Sequence, residues 1–397
     1  MGTSQAQVSH KGSQRLGKYL RRLRSGYGYS LRRVEERARA EGGEIDNSQL
    51  SRYEKGICYP SFDKLRVLAS VFNVSIQSFS DVVELEAYED LKPETGNPDE
   101  LVAQGGDALR RGDSGLAFAH YERALESLLD TAPVDKRFEL IGEVRVYQAI
   151  ALRRLGKLSL AEQELRNALR QAEHLSPKLR TRAVLTLAGI HAHQGERFLA
   201  ELEAGRALEL ARAEGLDRMA AMALHTMADV LSEQGRYEDA VEKSREAVTL
   251  YEECGEQFEA IRVRINLATY YVVLGKFREG IRLLQNTLQD SRKGKHRRLE
   301  SLTWSALGDA YFRTEDLRRA RRCFRESDTL AVYNDEKHFD ILFFNAYFEW
   351  EMARLEDNPT RAKIAFGRLK VLRASLERRF PEVEAFDEYV ERGKAHA

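Results

Sequence analysis

Residues 105–124 read GGDALRRGDSGLAFAHYERA. A small residue, Gly105, is followed seven places later by Gly112, five further on by Ala117, four further by Tyr121 and three after that by Ala124. The template recurs along the chain. Its central slot holds Gly112, Gly156, Gly195, Gly235 and Gly275, then Glu315-Asp316 and Asp357-Asn358 in two weaker copies, at spacings of 44, 39, 40, 40, 40 and 42. The next strongest copies are Ala228, Gly235, Ala240, Ala247 and Gly308, Tyr311, Ala320, Phe324. Gly, Asn or Asp ends a helix by taking up left-handed backbone. The residue four after each Ala shares its helical face and fills the gap between hairpins. A single helical hairpin is too thin to bury its own apolar face, so neighbours must stack. Seven copies predict a helical repeat array over roughly residues 100–380.

Composition agrees with a helical chain. It has 397 residues, with only 7 prolines against 27 glycines, and 32% of its residues are charged. Few prolines favour long helices. No apolar run approaches the roughly 20 residues of a membrane span; residues 341–344 are typical of the longest. Residues 1–14 are polar and lack the apolar core of a signal peptide. Cys58, Cys254 and Cys323 lie too far apart for a disulfide framework or a zinc set, and a cytoplasmic location is expected. The net charge of zero is unevenly spread. Residues 1–80 hold 14 Lys/Arg against 7 Asp/Glu, a net of +7, which leaves −7 for the rest. A basic head on an acidic body suggests a polyanionic partner for the head alone.

The head reads as about five helical segments. Residues 15–24 put Leu16, Tyr19, Leu20 and Leu23 on one face. Ser30 can cap a helix carrying Leu31, Val34 and Ala38. Asp46 can cap residues 47–55, which end at Gly56. Ser61 can cap residues 62–72, with Leu65, Leu68 and Ala69 inward, and Ile76 and Phe79 close the core. Residues 83–100 are acidic and broken by Pro93, Gly96 and Pro98, which reads as a linker with a short helix at its start.

The phrase SQLSRYEKGICYPSFDKLRVLASVFNVS (residues 48–75) resembles the phage-repressor helix-turn-helix family, also called Cro/C1 or XRE. Leu50-Ser51 falls in the recognition helix, Glu54-Lys55-Gly56 ends it, and Pro60-Ser61 opens the next. One departure is that residues 39–45 (RAEGGEI) add about five residues where the family has a tight turn. The resemblance implies base contacts from Asn47, Ser48 and Arg52, with Gln49 as a helper, because Asn suits adenine and Arg guanine. It implies phosphate contacts from Arg32, Arg33, Lys55, Tyr59, Ser61 and Lys64.

The repeat pattern resembles the tetratricopeptide repeat (TPR), with a period near 40 in place of about 34. In such arrays the first helix of each pair lines a concave face. The resemblance places Tyr147, Arg153 and Arg154, then Thr186 and His193, on that face. It adds His225, Thr226 and Asp229, then Asn266 and Thr269, then Asp309, Phe312 and Arg313. A face of amides, hydroxyls and charges suits an extended peptide, whose backbone offers donors and acceptors at every residue. Head plus body resembles the peptide-responsive quorum-sensing regulators of the RRNPP type, which implies a homodimer, a near-palindromic operator in double-stranded DNA and a peptide or protein effector in the groove.

Other features point to structure. Residues 291–299 (SRKGKHRRL) read as a solvated basic loop, with DNA contact as the alternative. Phe339, Phe343, Phe344, Tyr347, Phe348 and Trp350 read equally as core or as a dimer face. His191 and His193 do not share a helical face and make a poor metal pair. No P-loop, nucleophile elbow, HExxH or dinucleotide fingerprint occurs, so an enzyme, a cofactor and a metal are not expected.

The expected architecture is all-α. It comprises a tail (1–14), a five-helix helix-turn-helix domain (15–82), a linker (83–100), a TPR-like α-solenoid of about seven hairpins (101–380), and a capping helix with a tail (381–397). The expected function is a DNA-binding transcription regulator whose body dimerises and senses an effector. The alternative is a TPR adaptor that binds a protein partner with the helix-turn-helix secondary; a phosphatase is a weaker third reading.

Overall fold

The computed structural model describes residues 12–94, 96–129, 135–333, 336–376 and 380–395. The chain forms two compact units, one up to Ile190 and one from His191.

In the first unit, α1 (Gln14–Gly26), α2 (Leu31–Ala40), α3 (Asn47–Glu54), α4 (Phe62–Val71) and α5 (Gln77–Glu84) form the head. Their apolar faces close over Leu16, Leu20, Val34, Leu50, Leu68, Phe72 and Phe79, each no more than 3% exposed. Side chains cap three helices: Ser13 accepts from Leu16 N at 2.9 Å, Ser30 from Arg33 N at 3.1 Å and Asp46 from Gln49 N at 2.7 Å. Ser61 sits at the start of α4 but makes no side-chain cap bond.

The widened turn at 39–45 is tied down. Ser70 donates to Glu41 at 2.7 Å, and Ile45 is buried. Gly43 lies so close to α4 that a Cβ there would stand within 3.0 Å of three Val67 carbons.

Residues 83–100 are not a bare connection. They hold the end of α5, a 3₁₀ helix at Leu85–Leu91 and the start of α6 (Pro98–Arg111). Leu85 is buried, and the Tyr88 ring stands edge-on to Phe118, 6.4 Å between centroids. The unit continues through α7 (Ser114–Leu129), α8 (Asp135–Arg154), α9 (Leu158–Leu169) and α10 (Pro177–His193), whose last residues belong to the second unit.

The second unit holds α11 (Arg197–Ala213), α12 (Asp217–Glu233), α13 (Tyr237–Glu253), α14 (Gln257–Val273), α15 (Phe277–Lys293), α16 (Arg297–Arg313), α17 (Leu317–Ala331), α18 (Phe339–Leu355), α19 (Pro359–Arg373) and α20 (Pro381–Ala395). A small antiparallel hairpin, β1 (Val332–Tyr333) with β2 (Glu336–Lys337), joins α17 to α18.

The backbone explains the period. Every slot of the sequence template has positive φ, including Glu315 at 63° and Asp357 at 47°. A second set of left-handed turns lies midway, at Gly215, Gly255 and Lys295. From Gly195 to Glu315 these turns fall every 20 residues, because each helix from α11 to α16 has 17 residues and each connection three. Two such steps give 40. Glu315 has a Cβ in a conformation that disfavours one. Glu315→Gly is expected to raise stability by about 0.5–1 kcal/mol, read as a shift in urea midpoint; a lower midpoint would refute the strain.

Of the α18 aromatics, Phe343, Phe348 and Trp350 are core, at most 5% exposed and packed on Phe380, Phe324 and Phe386, whereas Phe339, Phe344 and Tyr347 are half-buried. The basic run at 291–299 is internally bonded. Arg292 pairs with Glu300 at 2.8 Å, and Arg298 with Asp340 at 2.6 Å. Arg297 donates to the carbonyls of Thr329, Leu330 and Val332, where α17 ends. No described helix is long and apolar enough to cross a membrane.

Candidate functional site

One face of α3 is exposed, with Asn47, Ser48 and Arg52, and the opposite face and the C-terminal end are clamped. Leu50 and Tyr53 anchor it to the core. Gly17 of α1 lets the helices touch, since a Cβ there would stand 2.6 Å from Glu54 O. Arg24 grips Glu54 with two bonds, Nε to Oε1 at 2.6 Å and Nη2 to Oε2 at 2.9 Å, and its third nitrogen donates to Tyr29 O at 3.0 Å. The Glu54 carboxylate holds the Arg24 pKa above its ordinary value.

Asn47, Ser48 and Arg52 are exposed, and their side chains have no hydrogen-bond or ion-pair partner among the described residues. Gln49 is half-buried and accepts from Lys64 Nζ at 2.9 Å, so two of the predicted residues form one strut between α3 and α4. Arg32 and Arg33 are exposed and share Glu36, at 3.7 and 3.1 Å. Lys55 and Ser61 are exposed. Tyr59 is 41% exposed, and partial burial, followed by Glu86, raises its hydroxyl pKa.

The repeat residues divide by unit. In the first, Tyr147 stacks on Tyr121 at 6.0 Å, and the Arg182 guanidinium lies 5.7 Å from the centre of the Tyr147 ring. Arg153 and Arg154 are exposed; Arg154 donates to Leu109 O at 2.8 Å. Thr186 is buried, and its hydroxyl bonds Arg182 O one turn back, so it offers nothing to a ligand.

In the second unit the structure gathers a connected set. Asp229 Oδ1 accepts from Asn266 Nδ2 at 3.0 Å and from the Tyr270 hydroxyl at 3.3 Å. The buried His225 places Nε2 3.4 Å from Asp229 Oδ2 and Nδ1 3.2 Å from Arg262 Nη2. Arginine can only donate, so Nδ1 accepts from Arg262, while Nε2 stands between the Asp229 carboxylate and the Asn266 amide nitrogen, 3.4 Å from each. Arg262 and Tyr270 were not found from the sequence, although both lie one turn from Asn266.

Thr226 and Thr269 bond carbonyls of their own helices, Met222 O and Ile265 O. His193 is exposed. Asp309 is buried against Arg313 at 2.9 Å, and burial raises its carboxyl pKa. Phe312 packs on Phe348, 5.1 Å between centroids. No group of three or more His, Cys, Asp or Glu able to hold a metal occurs among the described residues.

Burial holds the His225 pKa below the usual histidine value. The unfolded chain takes up this proton near pH 6.5, the folded one only at lower pH. The native state therefore binds fewer protons there, and stability falls as pH drops below about 6.5. The urea midpoint is expected to fall between pH 7 and pH 5, and to fall less in His225→Gln. Equal slopes in the two proteins would disprove the assignment.

A set of contacts with no sequence signal holds the head to the first repeats. Arg15 of α1 bonds Glu122 of α7 and packs over Phe118. The Tyr19 hydroxyl donates to Gln163 at 3.1 Å, and burial pushes its pKa up to about 12. Lys157 bonds both Asp81 and Glu84.

The family described as a helix-turn-helix domain matches residues 15–78. This segment is a helix-turn-helix domain. No curated protein sequence matches the chain. Among solved structures, a Rap protein complexed with competence and sporulation factor is 16% identical, with TM-score 0.53; the match covers 90% of this chain and 98% of that one. The apo quorum sensor NprR from B. thuringiensis is 16% identical, with TM-score 0.51, over 72% and 84%. A tetratricopeptide repeat protein from Parabacteroides merdae is 16% identical, with TM-score 0.50, over 69% and 93%. Beyond the helix-turn-helix domain the body is thus a TPR-like helical repeat.

Proposed function

We propose that this chain is a sequence-specific DNA-binding transcription regulator. The observation that carries the reading is the tip of α3. Three side chains able to read base edges, Asn47, Ser48 and Arg52, project unpaired from a helix whose inner face and far end are locked. Preorganised unpaired donors on a rigid element suit the major groove. Arg32, Arg33, Lys55, Tyr59, Ser61 and Lys64 supply the phosphate contacts, with Lys64 exchanging Gln49 for a phosphate.

In this reading the domains divide as the sequence suggests, the head reads half-sites of a near-palindrome as a homodimer in the cytoplasm, and the body senses a peptide or protein. Support for the last point comes from fold likeness: NprR is solved in complex with its cognate peptide NprX, at 16% identity and TM-score 0.50. The groups of the second unit that would meet a peptide backbone are Asp229, Asn266 and Thr226, flanked by His193 and Thr269 and, further along, by Asp309 and Arg313. Tyr147 and Arg153 play the same part in the first unit; Thr186, buried and bonded within its own helix, does not.

The test is a binding selection with purified protein on sheared host DNA at physiological salt. The reading expects one enriched near-palindrome, with its half-site spacing set by whole helical turns. Salt-sensitive binding with no enriched sequence, with and without peptides encoded near the gene, would sink it.

A further inference from the structure

Within the first unit, the head and the first repeats enclose a cleft of about 510 Å³, in the size range of small-ligand sites. Its walls come from α1, α5 and the 3₁₀ helix on the head side and from α7, α8 and α9 on the repeat side; Leu85, Phe118, Leu152 and Leu160 give it an apolar lining.

Gln148 of α8 opens onto the cleft. It is 5% exposed, and its Oε1 is buried without a hydrogen-bond partner among the described residues. The Nε of Arg15, on the opposite wall, is buried and unpartnered too. Polar atoms in this state weaken a fold. The neighbours of Gln148 on α8, Val144, Ala149 and Leu152, are buried and apolar. Packing alone would be met by leucine.

Most charges around the cleft are already paired, Glu86 and Lys18 excepted. Arg15 faces Glu122 and Glu89, Lys92 faces Glu122 and Glu126, and Arg22 lies 3.8 Å from Glu164. Glu86 accepts from Ser13. Lys18 stands apart at the exposed rim. A carboxylate bonding Arg15 would meet Glu122 and Glu89, which already pair that guanidinium, whereas a neutral polar group can use the two unpartnered atoms without that repulsion.

We propose that this cleft binds a small uncharged molecule with an apolar body and a carboxamide or hydroxyl end, the polar end bonding Gln148 and Arg15 Nε. Because its two walls belong to the head and to the repeats, occupancy adjusts how the head is held. That consequence for DNA rests on the regulatory reading; the binding does not.

The experiment uses the full chain with indole-3-carboxamide and octanamide as probes and indole-3-carboxylate as the charged control. Saturation-transfer NMR and thermal melting are read at about millimolar concentration, the range for ligands this small. Both amides are expected to bind and to raise Tm, and the carboxylate to do neither. Gln148→Leu is expected to weaken amide binding about tenfold and to raise Tm without ligand, by removing an unsatisfied polar group. Gln148→Met, unbranched like glutamine, serves if the leucine protein fails to fold. Amides that bind the variant as well as the native chain, no binding to the native chain, or a variant that folds with a lower Tm would each overturn the proposal. All are read without DNA, so failure of the regulatory reading leaves the result standing.

Discussion

Arg52→Ala is expected to lower affinity for the selected operator by about 1–3 kcal/mol, roughly 5- to 150-fold, while affinity for a scrambled duplex changes little. The side chain is exposed, has no partner to lose and lies outside the core, so the fold should not change; an unaltered melting curve checks this. A bidentate arginine reads guanine, and its removal should relax preference at one position of each half-site. Lys55→Ala is the control. A phosphate contact carries no sequence information, so both duplexes should weaken together and the salt slope should fall by about one. Equal loss on operator and scrambled DNA for Arg52→Ala would make it a phosphate contact and remove the main support for base reading by α3.

The second large effect concerns Gly308, in the middle of α16. Gly to Ala inside a helix ordinarily stabilises by about 0.5–1 kcal/mol. Here the sign is expected to invert. A Cβ at 308 would stand 2.5–2.7 Å from three ring carbons of Phe324. That ring is 1% exposed and stacks on Phe348 at 5.6 Å, so it has nowhere to go. Gly308→Ala is expected to cost about 1–3 kcal/mol by overpacking, and Gly308→Val more. Gly205 on α11, whose Cβ would meet nothing within 4 Å, is the internal control and should gain from the same change. Phe324→Leu should recover part of the Gly308→Ala loss in a double-mutant cycle. Additive effects would mean the ring yields and the close approach is not what requires glycine.

Much of this was legible because the repeat writes its geometry into backbone conformation. Gly112, Gly235 and Gly275 announce left-handed turns directly, and Glu315 and Asp357 were found only because their spacing matched; their positive φ agrees. The head was legible from its caps and apolar spacing, and Ser30 and Asp46 cap as expected. What escaped were pairings between residues far apart in sequence. Nothing in the local pattern joins Arg15 to Glu122, or Tyr19 to Gln163, so residues 83–100 looked like a free connection. Projection by helical position also cannot say where a hydroxyl points. Thr186, Thr226 and Thr269 all turn back to their own helices, while Tyr270 and Arg262, outside the projected positions, complete the cluster at Asp229.

The 20-residue cadence of left-handed turns has a genetic consequence. A recombination event that inserts or deletes 40 residues anywhere between Gly195 and Glu315 leaves every flanking helix with its length, its turn and its small-residue seat unchanged. A slip of 20 would instead exchange the two helix types of the hairpin. Gene duplications in steps of 120 base pairs are therefore the changes such a chain can absorb, so the length of the array can vary in whole periods without the head being redesigned.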